Sequence, residues 1–368
     1  MEMIISIIAF VFVLTVLVMA HELGHFWVAR KNKIKVEEFG LGLPPRIWGK
    51  KYNGTLYSIN WLPFGGFVRL LGEDSEGADL KKKGSFYLAP AKTRAAVVVA
   101  GVVVNYFIAV ILLYIVLIGS GFKFSVPQIV EHNFKFANNS TEVVLAEFTE
   151  ESPLKVTGLE PGDVVKKING SDVGSAEFLS NQIKNSTGTG LSLEIKKFDG
   201  ELESIQVNTL EKDGKKILGV YLAEQTVISY DGFWQRTFSG VSQSINLAEY
   251  STKVMGALIG SAFKSGNFEP VSQGVAGPVG IAQYTKVAID FGWMAFIQLV
   301  ALLSLNLAMV NILPIPALDG GRFFFIVVEL ITKKRVGANF ERIVHTVGFV
   351  VLIALTFVVT ANDIFKLL

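Results

Sequence analysis

The strongest constraint on this chain is its set of long uncharged stretches. A helix needs about 20 mostly apolar residues to cross a bilayer. Four stretches meet that need: 3–20, whose run continues through 21–29; 95–118, with Asn105 as its one strongly polar residue; 291–313; and 346–361, extendable to 343–368. A further apolar run, 323–331, is too short to span and holds Glu329. Hydrophobic residues make up 51% of the chain and charged residues 18%, a balance foreign to an ordinary soluble enzyme. The first stretch has no basic leader and no small-x-small cleavage site, so it reads as a retained helix rather than a signal peptide.

Lysine and arginine orient the spans. They crowd residues 30–94 and recur in 314–342 as Arg322, Lys333, Lys334, Arg335 and Arg342. Both segments are expected on the cytoplasmic side. The N-terminus, the long region between the second and third spans, and the C-terminus are then expected outside. The expected order is a first span over 1–30, a cytoplasmic loop over 31–94 with its β-rich part at about 36–72, and a second span over 95–119. An outer α+β domain over 120–225 and an outer helical region over 226–290 come next. A third span over 291–313, a cytoplasmic loop over 314–342 and a fourth span over 343–368 complete it. Within the first loop, Asn53-Gly54 between β-rich flanks is the strongest short hairpin signal. That ribbon either packs on helix ends or offers an edge to an extended substrate.

Composition also narrows the chemistry. There is no cysteine, which excludes disulfides, thiolate metal sites and a thiol nucleophile. The formal net charge of +2 gives no general attraction to nucleic acid. Any metal site must draw on the four histidines, on carboxylates or on backbone oxygen.

Two of those histidines fall in His21-Glu22-Leu23-Gly24-His25, an H-E-x-x-H pattern at the end of the first span. On a helix, residues i and i+4 share a face, so both imidazoles can grip one zinc ion while the glutamate serves as general base toward a water. The bland alternative is a polar helix end with two snorkelling imidazoles. A membrane helix tolerates ionisable groups poorly unless they work, which favours the metal. A catalytic zinc takes three protein ligands and keeps one position open. His132 and His345 read as ordinary surface or interface residues. Asp319, after two prolines that break the third span (Pro314 and Pro316), is the best third ligand. Its alternative role is N-cap of the next helix. Both motifs are expected at cytoplasmic helix ends, so they can meet. Asn306 and Asn311 either hydrogen-bond across helices or hold substrate backbone.

The pairing of H-E-x-x-H with Asn311-x-x-Pro314-x-Pro316-x-Leu318-Asp319-Gly320 resembles the site-2 protease family of intramembrane zinc metalloproteases, in particular its bacterial regulator-of-sigma-E group. Phe39-Gly40-Leu41-Gly42 and Pro63-Phe64-Gly65-Gly66-Phe67-Val68 resemble that group's membrane re-entrant β-loop. Ser152-Pro153-Leu154, Gly158-Leu159-Glu160-Pro161-Gly162-Asp163 and Ile168-Asn169-Gly170 resemble its PDZ domain, and Gly277-Pro278-Val279-Gly280-Ile281 the segment before its third span. The resemblance implies a polytopic α-helical membrane protein with four transmembrane helices, a cytoplasmic-side re-entrant β-loop and one extracytoplasmic PDZ domain. It implies Zn2+ held by His21, His25 and Asp319, Glu22 as general base, and Asn311 in the active-site region; Asn306, Pro314 and Pro316 are further candidates for substrate contact. It implies single-span membrane proteins or peptides as substrates (an anti-sigma factor or leftover signal peptides), with a C-terminus or outer segment held by the PDZ groove. The location implied is the bacterial inner membrane, with the active site toward the cytoplasm and membrane lipid as surroundings. Two departures stand out: Ala100-Gly101-Val102-Val103-Val104-Asn105 lacks a proline common at this place in the family, and there is room for one PDZ domain where well-known relatives carry two. The competing expectations are a non-catalytic membrane-anchored PDZ scaffold and a metal transporter.

Overall fold

Residues Glu2–Lys31 form one helix, α1. Nothing in its sequence interrupts it: there is no proline, and its apolar residues run all round the axis, as in a helix surrounded by lipid or protein. Arg30 and Lys31 close its last turn, where positive charge suits the helix dipole. The computed structural model describes residues 2–73, 82–186, 190–197, 200–212 and 214–366. The ends of the expected first and last spans (1, 367 and 368) and part of the expected first loop (74–81) lie outside them. The chain divides into two compact units, residues 1–116 with 243–368, and residues 117–242.

In the first unit α1 is followed by a ribbon of two long strands, β1 (Val36–Tyr52) and β2 (Thr55–Leu70), then α2 (Ala91–Gly119), whose last turn passes into the second unit. The turn between the strands is Asn53-Gly54, both with positive φ (47° and 82°), as the favoured two-residue hairpin demands. The ribbon folds back on itself. Residues 38–41 pair with 56–59 on one side and with 66–69 on the other, while 48–52 pair with 55–59. Four segments result in the order 48–52, 55–59, 38–41, 66–69, the middle pair running in the same direction and the outer pairs antiparallel, with 66–69 at one edge. Glu38 is buried in this sheet and answered by Arg46, which donates to both of its carboxylate oxygens at 2.8 and 2.9 Å.

The ribbon climbs α1. A Cβ on Gly66 would lie 2.3 Å from Met19 Sδ, and one on Gly65 3.2 Å from Val18 Cγ1. Thr15 Oγ1 donates to Pro63 O at 3.0 Å. Thr15 precedes His21 by six residues, about 9 Å along a helix, so strand backbone reaches well into the apolar length of α1. Side chains at Gly65 and Gly66 would keep the two elements apart.

The second unit is an antiparallel sheet of β3 (Lys123–Pro127), β4 (Asn138–Phe148), β5 (Val164–Ile168), β6 (Ser171–Asp172), β7 (Gly190–Lys196), β8 (Leu202–Asn208) and β11 (Val220–Ser229). Its order is β3-β11-β4-β5-β7-β8, with β6 beside β5. A small hairpin of β9 (Leu210–Lys212) and β10 (Lys215–Ile217) stands apart, and one helix, α3 (Ala176–Lys184), starts at the side-chain cap of Ser175. Alternation in β7 buries Leu191, Leu193 and Ile195, the period of two expected of a half-covered sheet. They pack with Val143, Leu154, Ile168 and Leu179 into one apolar core.

The rest of the chain is helical: α4 (Phe233–Ser265), which begins in the second unit and ends in the first, α5 (Glu269–Gly274), α6 (Pro278–Asp290), α7 (Trp293–Ile312), α8 (Asp319–Thr332) and α9 (Ala338–Phe365). Four helices, α1 from Ile5, α2, α7 and α9, are long and apolar enough to cross a membrane, and the chain is a membrane protein. α9 leaves Phe349, Val350, Phe357 and Val358 exposed, as lipid-facing residues are. Its C-terminal end is fixed by buried Asp363, whose carboxylate accepts the Gly280 N–H at the start of α6 (2.8 Å). The short apolar run at 323–331 is α8, whose Ile326 joins Phe26, Ala29, Val36, Leu70, Val97 and Val98 in a core shared by α1, the ribbon and α2.

Removing three carbons from a side chain this enclosed leaves a cavity. Leu193→Ala is expected to destabilise the second unit by about 2–5 kcal/mol, read as an earlier unfolding transition of the full-length protein in detergent with its zinc content unchanged.

Candidate functional site

His21 and His25 lie one turn apart on α1, their rings edge to face with centroids 4.7 Å apart. Their Nε2 atoms converge on one oxygen: Asp319 Oδ2 is 2.8 Å from His21 Nε2 and 3.2 Å from His25 Nε2. One ligand atom from each residue lies within 4.8 Å of the others. Both imidazoles are buried and Asp319 is half-buried.

The opposite ring nitrogens face α2. His25 Nδ1–H donates to Val97 O at 2.7 Å, which turns Nε2 toward Asp319 as the ring nitrogen available to a cation. Buried Asn105 places Nδ2 3.4 Å from His21 Nδ1, and its Oδ1 has no hydrogen-bond partner among the described residues; turned over, the amide would accept the Nδ1–H and give His21 the same tautomer. Two glycines allow this proximity. A Cβ on Gly24 would lie 2.6 Å from Ala100 O, so α1 and α2 touch backbone to backbone there. A Cβ on Gly101 would lie 2.5 Å from His25 Nε2 and 2.6 Å from His21 Nε2. The space kept clear by Gly101 is therefore the space between the two Nε2 atoms. With two imidazoles and a carboxylate around it, this cradle fits a zinc ion, whose catalytic sites take three such ligands.

Asp319 gets there through a broken helix. α7 ends at Ile312, and Pro314 and Pro316, which have no N–H to continue it, lead into the loop 313–318. α8 then starts with Asp319 as its first helical residue. Leu318 holds the N-cap place and no side chain caps the helix, so the carboxylate is turned to the imidazoles and not to its own backbone. The glycines after it are forced: a Cβ on Gly320 would lie 2.0 Å from Leu313 O, and one on Gly321 2.5 Å from Ile315 O.

Glu22 points to the ribbon. Its Oε2 accepts the N–H of Val68 at 3.0 Å, an amide on the edge segment of the sheet. Glu22, His25 and Asp319 share a cavity of about 190 Å³ with Phe67, Val68 and Arg322. Arg322 forms an ion pair with Glu73 in the same wall.

Of the other sequence candidates, Asn311 is half-buried in the last turn of α7 and continues the buried face marked by Ser304 and Ala308. Asn306 is exposed, on the other side of that helix from Ser304, which donates to Asn105 O (2.8 Å). Pro314 is exposed and Pro316 half-buried in the loop before Asp319. His132 belongs to the second unit, where its ring packs edge-on against Phe134. Sequence reasoning missed Val97, Gly101 and His345. The signal for Gly101 and Asn105 was present: they lie four residues apart, on one face of the second apolar stretch.

A membrane-embedded H-E-x-x-H helix facing an aspartate on a proline-broken segment defines a class: the metallopeptidase that works within the bilayer. The model for peptidase family M50 matches residues 9–355, and the chain belongs to that family, the site-2 type of intramembrane zinc metalloprotease. Relatives agree along their whole length. A Clostridium acetobutylicum protein described as a candidate zinc metalloprotease is 30% identical, covering 99% of this chain and 97% of that one. Zinc metalloprotease RasP of Geobacillus kaustophilus is 28% identical, covering 98% of both. The regulator of sigma-W protease RasP of Bacillus subtilis is 27% identical, covering 98% of this chain and 99% of that one. A PDZ domain of an SdrC-like protein from Listeria monocytogenes matches 25% of this chain and 93% of that one, at 18% identity and a TM-score of 0.21, too slight a likeness to carry weight.

A methyl group at residue 101 would occupy the cradle. Gly101→Ala is expected to abolish stable zinc binding, seen as metal-free protein after purification, while its yield and helical circular dichroism stay close to wild type.

Proposed function

We propose that His21, His25 and Asp319 hold the zinc, that Glu22 is the general base, and that the substrate is a single membrane-spanning segment cut within or near its helix. The observation that carries this reading is the convergence of both Nε2 atoms on Asp319 Oδ2, beside a carboxylate anchored to a strand edge. Bound there, zinc supplies a water of lowered pKa and polarises the scissile carbonyl.

The residues of the chain do the rest. Glu22, fixed by the Val68 amide, takes the proton from the attacking water and returns it to the leaving nitrogen. The Val97 carbonyl and Asn105 keep each imidazole in its ligating tautomer. A membrane helix must unwind locally before its carbonyls are accessible, and bare backbone in lipid is costly. The ribbon beside Glu22 is suited to offer backbone partners to the unwound stretch. Asn311 in the last turn of α7 and Pro314 just after it are candidates for substrate contact.

Lysine and arginine in residues 30–94 and 314–342 support a site that opens to the cytoplasm, with both termini and the second unit outside. The second unit is read as one PDZ-like domain. β11 pairs with β4 along its length but with β3 only from Gln225 onward. Among the described residues, its other edge at 220–223 carries no strand. The first amide of α3 donates to Glu224 at 2.7 Å, so the helix starts beside that edge, in the arrangement that receives a peptide strand. By analogy with the sigma-W regulator of Bacillus subtilis, a membrane-bound anti-sigma factor is the natural substrate class.

Glu22→Gln is expected to retain zinc and lower kcat by about 10²–10⁴-fold on a detergent-solubilised model span. Undiminished cleavage would rule out the general-base role. In native membranes the same variant is expected to accumulate uncut single-span partners, identifiable by mass spectrometry.

A further inference from the structure

The loop that delivers Asp319 has a feature that metal chemistry alone does not explain. Ala317, two residues before the carboxylate, has φ of +76°, a left-handed conformation that a residue with a Cβ adopts at a cost. Something must hold it. Its N–H donates to His345 Nδ1 at 3.0 Å. His345 is on the final helix, α9, and its ring is steadied by Phe325 of α8, with centroids 6.0 Å apart. One turn further along α9, Gly348 lets that helix close on the neighbouring residue of the loop: a Cβ there would lie 2.4 Å from Pro316 Cβ and 2.7 Å from Pro316 O. α9 thus grips Pro316 and Ala317 in succession, and the other side of the loop is packed on Gly320 and Gly321. The backbone that aims Asp319 is clamped from both sides, and the outer jaw is a histidine with no part in the chemistry.

We propose that His345 is a positioning residue of the metal centre: by accepting the Ala317 amide it fixes the left-handed turn that directs the Asp319 carboxylate at His21 and His25. The inference rests on reading Asp319 as a zinc ligand. Such outer contacts typically contribute about 10–100-fold to metal affinity. The last membrane helix is then part of the active site's framework, although it contributes no ligand.

The test is zinc affinity of the purified full-length protein in detergent, by competition with a chromogenic chelator. Asparagine can place its Oδ1 where histidine has Nδ1; leucine offers no acceptor. His345→Leu is expected to weaken zinc binding about 10–100-fold, and His345→Asn to bind close to wild type. The double variant Ala317→Gly with His345→Leu should recover part of the loss, because glycine takes a positive φ without the Cβ penalty. Equal affinities for His345→Asn and His345→Leu would overturn the proposal. If His345→Leu fails to fold, His345→Gln decides, since its acceptor lies one bond further out. Weakened binding in His345→Gln beside normal binding in His345→Asn supports the clamp, and equal binding in the two removes it. Asp319→Asn is measured alongside: wild-type affinity there would remove the ligand assignment itself, whereas loss there with none in His345→Leu would remove the positioning role alone.

Discussion

Two imidazoles and a carboxylate separated by 298 residues of chain must be brought to a common point, and much of the first unit serves that end. Without a metal the three groups attract one another through a buried hydrogen-bonded cluster; with one, they share its charge. Either state requires α1 and α8 to be held in register by other means. The apolar core of Phe26, Val97, Val98, Leu70 and Ile326 does this, and buried Arg94, which donates to Glu329 at 2.6 Å, ties α2 to α8 beside it. Gly24 and Gly101 set how near α2 comes. The converging groups are three, and their meeting depends on these contacts outside the cluster itself.

The ribbon shows how a β-structure can lie along an apolar helix. An unpaired strand edge in lipid carries amides and carbonyls with no water to satisfy them. Here the edge lies against α1 and against the catalytic cavity, and the Val68 amide is answered by Glu22 itself. The charges of the sheet are handled inside it, with buried Glu38 between Arg46 and Arg69. The glycines that make the ribbon look weak in sequence are where it meets the helix closely.

Local rules made much of this legible. The four apolar stretches, the H-E-x-x-H spacing and the Asn53-Gly54 turn each depend on residues a few positions apart, and each has its counterpart among the described elements. The aspartate was legible because prolines cannot continue a helix. The folding of β1 against two segments of β2 at once was not, since alternation within a strand says nothing about which partner lies on which side. His345 was unreadable for a related reason. Its place at the start of an apolar helix is ordinary, and its value depends on a backbone angle at Ala317 that no composition reveals. Gly101 lay between, visible as a small residue four positions before Asn105 but meaningful only once the nitrogens it accommodates are in place.

The wide separation of the ligands along the chain also sets a schedule. During synthesis the helix bearing both histidines emerges first, and the aspartate only near the end, followed by the helix that closes on its loop. With Asp319 as the proposed third ligand, a nascent protein that has not yet reached it is inserted in the bilayer but inert. Hydrolytic capacity therefore arises late, when the rest of the fold is already there to govern what it meets.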